Sequence, residues 1–435
     1  MKLNLKKLLA LFAAAVPLLV SASVVQAQAL DFSLQGAVDA AKPPGYPVAP
    51  GIWKLHGQQP GLPTNDLEPL RRMVGKASVV ALGESYHTSV GFYVTKHRVF
   101  RFLVEKMGFR VFAIESAWTG ADDAARYVQT CEGTPEAALR RHISVWPSTE
   151  LADMLRWMCE WNSNHPKAAD KVHYFGFDIQ QANVDGHALT DFLRRIGVSP
   201  NHAWISGIES CEGVTQRHSP GEIPPERHAR CVQALEEVGG HFEAEASAIR
   251  EQTSAEELEI AKLRVVGLRA DEEQVFLIFH DFGAGYSARD VAMAHTFLKL
   301  REMRFPKAKT MIWAANSHVS KSTLPNGATP MGMHLAAALK RDYVTFALGA
   351  YETEVDYSRC GAVDRVPGSV DERLNGLGPD TLLVDFAFPG TRRPYLPKGL
   401  LYIGSEEFDL KRHFNGMFWM RHSAKMTPTL WEPCQ

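Results

Sequence analysis

Several short apolar runs in this chain each end on a polar residue able to do chemistry. Residues 79–82 (Val-Val-Ala-Leu) lead into Gly83, Glu84, Ser85, Tyr86 and His87. Residues 111–114 (Val-Phe-Ala-Ile) lead into Glu115, and the run at 311–315 leads into Asn316, Ser317 and His318. Strands of a parallel sheet are covered on both faces and so read as continuous apolar runs rather than alternating ones. In open α/β sheets the ligand crevice lies outside the carboxyl ends of the strands. The pattern therefore predicts an α/β fold, with a central, mostly parallel sheet flanked by helices. It delivers two carboxylates and two imidazoles to one rim, which is an expectation of an enzyme.

The strands expected from the pattern are 78–82, 110–114, 172–177, 310–314 and 343–348, with further β-like runs at 382–386 and 400–403. A short helix is expected from Asp66 to Gly75. A longer one runs from Phe92 to Met107, where Phe92, Val99, Phe102, Leu103 and Val104 recur on one face and Gly108 supplies the stop. Residues 121–162 read as helical, their tryptophans as packing, and an aromatic tail lies around 414–420. Residues 182–304 are mainly helical and too long for an ordinary crossover. They are expected to be a helical insertion over the rim, with the charged stretch 236–273 as a solvated hairpin. The domain expected to carry the chemistry covers 66–435, after a Pro/Gly-rich extended arm at 30–65.

Residues 1–29 look like an export signal. Lys2, Lys6 and Lys7 precede an apolar stretch at 8–20 interrupted by Pro17, and small residues at Ala27 and Ala29 suit cleavage. The expected location is periplasmic or secreted, with no stable membrane anchor after cleavage. The chain carries 47 Lys+Arg against 49 Asp+Glu. Without the signal lysines it is mildly acidic, which argues against nucleic acid as a partner. Six cysteines contain no C-x-x-C pair, and an exported chain permits disulfides. Proximity along the chain suggests Cys131–Cys159, Cys211–Cys231 and Cys360–Cys434.

The chemistry follows from the residue types. Glu84 and His87, three apart in the turn leaving a strand, make a carboxylate–imidazole pair, which raises the basicity of the ring and fixes its tautomer. Glu115 is placed to orient the base, hold a water or meet the substrate, and His318 approaches from the strand at 310–314. Lys96, nine residues after His87, is placed to stabilise an oxyanion or to pair with a carboxylate. Asp178, at the end of the third expected strand, reads as a residue that caps or holds the rim loop. The same Glu84, His87, Glu115 and His318 set would alternatively suit a divalent metal. The H-E-x-x-H pattern, a G-x-S-x-G elbow and a phosphate-cradling glycine loop are all missing.

Gly83-Glu84-Ser85-Tyr86-His87, with Phe92-Tyr93, Lys96-His97-Arg98, Phe102 to Glu105, Gly108-Phe109-Arg110 and Phe112 to Glu115, resembles the erythromycin esterase family. Trp157-Met158, Asn162, Gly176 to Gln180, Arg289-Asp290, Met293-Ala294 and Asn316 to Val319 extend the resemblance over most of the chain from Asp66 onward. It implies hydrolysis of a macrolide lactone ester, hence antibiotic resistance, by water and without a covalent intermediate or cofactor. In that scheme His87 activates the water, Glu84 and Glu115 orient it and tune the base, and His318 contacts the reacting region. Three positions differ from the family's common pattern: Thr88 where Gly often follows the motif His, Lys96 where Arg is common, and Ala315 where another His is common. The arrangement also resembles a wider superfamily that includes haem-binding lipoproteins and metal-dependent membrane proteases. That likeness keeps two alternatives, a metal-dependent hydrolase and a non-catalytic haem or small-molecule binder.

Overall fold

The computed structural model describes residues 45–211, 213, 223–278, 280–356, 360–389, 396 and 399–430. The expected signal peptide at 1–29 and Cys434 lie outside them. Among the described residues, twelve strands follow in chain order: β1 (Pro47–Ala49), β2 (Ile52–Lys54), β3 (Val79–Leu82), β4 (Phe109–Ala117), β5 (His173–Asp178), β6 (Lys309–Trp313), β7 (Tyr343–Asp356), β8 (Cys360–Ala362), β9 (Thr381–Asp385), β10 (Leu400–Ile403), β11 (Glu406–Asp409) and β12 (Gly416–Ser423). The main sheet has the order β1-β2-β9-β12-β7-β3-β6-β4-β5, with β8 added beside the far end of β7; β10 and β11 form a separate hairpin.

The six neighbours from β12 to β5 pair in parallel. Strands β9, β2 and β1 extend this core antiparallel. The fold is an α/β sheet covered on both faces, as the apolar runs predict. In β3, Val80 and Leu82 enter one core with Phe92, Phe112, Trp313 and Leu155. Val79 and Ala81 enter the other, with Ile312, Phe297 and Leu335. The two-residue repeat of a strand sends alternate side chains to opposite faces. A four-residue run fully buried on both sides must therefore be apolar throughout.

The helix Val90–Met107 returns from β3 to β4 and ends at Gly108, whose left-handed φ of +73° is the usual helix stop. Between β5 and β6 lie the helices Ala182–Arg195, Ala203–Glu209, Pro225–Ala244, Ala246–Gln252, Ala255–Leu277 and Phe282–Arg304. The last of these lies on the sheet, with Phe297 against Phe175 and Phe177. Much of the rest gathers around its own apolar core of Leu189, Phe192, Leu235, Phe242 and Leu268. The hairpin at 236–273 is not solvated throughout, since Asp271 and Glu272 are fully buried and Glu272 pairs with His228 at 3.1 Å. Among the described residues no helix is long and apolar enough to cross a membrane.

The structure differs from the sequence expectation at both ends. Part of the stretch expected as a surface arm enters the sheet as β1 and β2. The expected aromatic tail includes β12, a buried strand between β7 and β9. The helical stretch at 121–162 divides into Asp122–Thr130, Pro135–Ala138 and Thr149–Asn164, and the loop between the last two carries Trp146. Disulfides join Cys131 to Cys159 and Cys211 to Cys231, closing spans of 28 and 20 residues. Cross-links over loops of this length are worth about 2–4 kcal/mol, mainly by restricting the unfolded chain. Replacing Cys211 and Cys231 together by Ser should lower unfolding stability by about that amount in denaturant titrations, and non-reducing peptide mapping should recover both links from the wild-type chain.

Candidate functional site

The turn leaving β3 is built around Gly83. A Cβ there would stand 2.1 Å from Asn316 Oδ1 and 2.9 Å from Asn316 Cα, so only glycine lets the β3 and β6 ends approach this closely. Asn316 N–H donates to the Glu84 carbonyl at 2.8 Å. Its side chain donates to the Leu348 carbonyl at 2.9 Å and accepts from Leu348 N–H at 3.0 Å. One asparagine thus joins the ends of β3, β6 and β7, and the rim is rigid where the polar residues emerge. Thr88, in place of the family's frequent glycine, takes a left-handed φ of +63°. That conformation is unfavourable for a β-branched residue. It is held by the Asp356 N–H donating to Thr88 Oγ1 at 3.1 Å and by the Met426 N–H donating to the Thr88 carbonyl at 3.0 Å.

Glu84 is completely buried. One carboxylate oxygen accepts from His87 Nδ1 at 2.6 Å. The other accepts from Lys96 Nζ at 2.8 Å and Trp313 Nε1 at 3.0 Å. Lys96 lies underneath, fully buried, with its Nζ 4.4 Å from the centre of a Trp313 ring and 3.5 Å from the Ala314 carbonyl. Burial lowers its pKa to about 8, against the charge and hydrogen bond of Glu84 and the charge of Glu115. Of the two roles expected for Lys96, the structure has the carboxylate pairing. With no exposed surface it cannot touch a substrate oxyanion, and it acts as a positioning residue behind Glu84.

His87 stands on this base with its side chain one-third exposed, its ring edge-on to Trp146 at 5.0 Å between centres. Among the described residues its Nε2 has no hydrogen-bond partner. Burial depresses the imidazolium, but the Glu84 hydrogen bond and the charges of Glu84 and Glu115 outweigh this and the opposing His318, so the pKa rises above 6.5. The sequence reading of Trp146 as packing is incomplete. Its indole N–H donates to the Glu115 carbonyl, and its ring walls one side of the His87 imidazole.

Glu115 and His318 belong to a second buried network. Glu115 accepts from Arg289 Nη2 at 2.8 Å and from Ala315 N–H at 2.8 Å, with His318 Nε2 at 3.2 Å. Asp178 fixes the rim turn by accepting from Ile179 N–H at 2.7 Å, and it also grips Arg289 through Nε at 3.0 Å and Nη2 at 2.7 Å. His318 Nδ1 lies 2.8 Å from Asp290 and 2.8 Å from the Tyr286 hydroxyl, with the Tyr286 ring stacked on it. Burial lowers the His318 pKa, but the charges of Asp290 and Glu115 and the Asp290 hydrogen bond, against Arg289, carry it up to about 10. Arg289 Nη1 is 3.1 Å from the same Nε2. A protonated ring has no lone pair to offer it, so Nε2 gives its hydrogen to Glu115. Burial also pushes the Asp290 carboxyl up. Asp290 nonetheless accepts the Met331 N–H at 2.6 Å, and the proton shared with His318 belongs on the ring. Burial would raise Glu115 as well, but the His318 charge and hydrogen bond and the charges of Arg289 and His87 hold it well below the usual carboxylate range.

The two networks meet, since His87, Glu115 and His318 act on one another electrostatically. His318 is nevertheless bonded on both ring nitrogens and only 4 % exposed, so it sets the charge behind the rim. As a metal cage the four residues do not fit. Glu84, Glu115 and His318 have their donor atoms engaged by protein groups, which leaves His87 Nε2. Among the described residues no cluster of three or more His, Cys, Asp or Glu is arranged to hold a metal ion.

The model of the erythromycin esterase family matches residues 104–423. The chain belongs to this family, and by that membership it is a hydrolase. The chain is 25% identical over 407 residues to YbfO of Bacillus subtilis (strain 168), covering 84% of this chain and 87% of that protein. To erythromycin esterase type II of Escherichia coli it is 23% identical over 399 residues, covering 83% and 93%. A crystal structure of a Bacillus cereus protein superposes with a TM-score of 0.71 at 22% identity, covering 86% of this chain and 95% of that one. An erythromycin esterase mutant, EreC, in its open conformation superposes at 0.69 with 18% identity, covering 85% and 96%. These structural likenesses establish the shared fold.

A raised folded-state pKa at His318 stabilises the protein fully below the ordinary histidine value, and the contribution fades as pH climbs through the folded value. The stability gap between wild type and His318→Gln, measured by urea unfolding, should therefore be widest below about pH 6.5 and narrow toward about pH 10. The comparison is made as a difference because Lys96, with a depressed pKa, drives stability the opposite way over part of this range in both proteins.

Proposed function

We propose that this family member is an exported ester hydrolase that cleaves a carboxylic ester, of the macrolide lactone class, with a water molecule activated by His87. The observation that carries the reading is the single free ring nitrogen of His87, accessible above a Glu84 carboxylate locked to its Nδ1 at 2.6 Å. Glu84 fixes the tautomer with hydrogen on Nδ1, so the Nε2 lone pair faces the crevice. There it takes a proton from water as that water adds to the ester carbonyl, and Glu84 stabilises the imidazolium that results. Glu115, ionised and immobilised, adds its field to the same end. The tetrahedral intermediate then collapses with loss of the alcohol, leaving the acid. No side chain in this arrangement is a nucleophile, so the route has no acyl-enzyme.

The name of the Escherichia coli relative supports erythromycin-type lactones as the substrate class. A narrow surface pocket lined by Tyr86, Tyr351, Arg365, Asp371 and Gly404 borders the His87 turn. The leader at 1–29 supports export to the periplasm or medium, and two disulfides suit an oxidising compartment.

The test is steady-state hydrolysis of a macrolide and of simple esters. His87→Ala should lower kcat by about 10²- to 10⁴-fold, and EDTA should leave the wild-type rate unchanged. The acid limb of kcat/KM should fall above pH 6.5, because His87 must be neutral to act and its pKa is raised. Glu84→Gln removes the charge that raises it and should move that limb to lower pH. Loss of turnover on chelation, restored by Zn²⁺, would overturn the scheme in favour of a metal.

A further inference from the structure

The helix Phe282–Arg304 meets the sheet along one stripe. Phe282, Tyr286, Arg289 and Met293 recur at i, i+4, i+7 and i+11, a spacing that keeps side chains on a single helix face. Lowest in the row, Met293 is fully buried in the core that holds Ala81 and Ile312. One turn higher, Arg289 is 9 % exposed and binds Asp178 and Glu115 at the strand ends. Tyr286 comes next. Its ring stacks on His318, 4.8 Å between centres and 7° between planes, and its hydroxyl is 2.8 Å from His318 Nδ1. Phe282 closes the row, its ring 5.9 Å from that of Tyr286.

An α-helix rises 1.5 Å per residue, so Phe282 stands about 10 Å along the axis from Arg289. The stripe that is buried against the strands has by then passed their ends, and its last member overhangs the crevice. Phe282 is 51 % exposed, more than any other large apolar side chain among the described residues. The helix end that carries it is anchored. Asp281 caps it by accepting the Ala284 N–H at 2.9 Å, and Ser287 Oγ accepts the Thr329 N–H at 3.0 Å.

We propose that Phe282 is a specificity-determining residue, whose ring seats the hydrocarbon face of a bulky lactone while the ester lies at His87. This rests on the ester hydrolase reading and names what selects the substrate. The charged groups of the rim, Glu84, Glu115, Arg289 and His318, are engaged by protein partners and offer little to a neutral, largely hydrocarbon ring. Phe282 supplies the apolar area that the rim lacks, at the end of an aromatic row that starts on His318. Covering a half-exposed phenyl ring removes apolar surface from water on both partners. The attraction is the same in the ground state and the transition state, so it lowers KM without raising kcat.

The experiment compares erythromycin with ethyl acetate, which is too small to span from the rim to Phe282. Phe282→Ala should raise KM for erythromycin by about tenfold. It should leave kcat for erythromycin, and kcat/KM for ethyl acetate, within about twofold. Phe282→Leu, which keeps apolar area, should recover most of the loss, and Phe282→Asp should recover none. An unchanged KM for erythromycin, a loss carried by kcat, or equal losses on both esters would overturn the role of Phe282 while leaving ester hydrolysis standing. So would wild-type protein that turns over ethyl acetate but not erythromycin. Wild-type protein that hydrolyses neither would overturn both.

Discussion

The site depends on a carboxylate with no contact with water. Glu84 is held at the end of β3 because three donors from three segments meet it: the His87 turn, the helix Val90–Met107 through Lys96, and β6 through Trp313. Removing one partner of such a buried pair typically costs about 3–5 kcal/mol, since the remaining charge is left uncompensated. The pair is therefore weak evidence for stability but strong evidence of placement. It holds only when strand, turn and helix are correctly assembled, and the ring of His87 is then aimed as a consequence. The geometry of the candidate site is a by-product of satisfying one buried charge.

The second network applies the same logic with more members. Asp178 at the end of β5, Glu115 on β4 and Asp290 on the helix Phe282–Arg304 surround Arg289 and His318. Three acidic groups around two cations leave a surplus of negative charge. That surplus keeps His318 protonated and helps to raise His87. The parallel sheet makes this convergence cheap in chain length. Every strand from β12 to β5 ends on the same side, so residues some two hundred positions apart become neighbours by topology alone.

The central strands were legible because β3, β4 and β6 each carry an unbroken apolar run that is buried on both faces. Glu84, His87, Glu115 and His318 were legible because they fall where those runs stop. The two shorter disulfides followed from nearness in sequence. Other features carried no such signal. Strands β1 and β2 are three residues each in a Pro/Gly-rich stretch, and nothing local distinguishes an edge strand from an arm. Strand β12 looked like a tail because its partners, β7 and β9, lie far back in the chain. Exposure was the other blind spot. Lys96 and His318 read as rim groups from position, but whether a long side chain reaches the crevice or folds beneath it depends on packing.

The exchange of Arg for Lys at position 96 is intelligible in these terms. A guanidinium presents a planar fork suited to both oxygens of a carboxylate, but one oxygen of Glu84 is already given to His87. The space below offers a single carboxylate oxygen, the Ala314 carbonyl and the face of Trp313. A compact ammonium with three donors and a charge suited to a ring face matches those three acceptors. Such a cation also gives up its proton more readily than arginine when buried, as its lowered pKa reflects. In alkaline solution the charge beneath Glu84 thins before that of an arginine would.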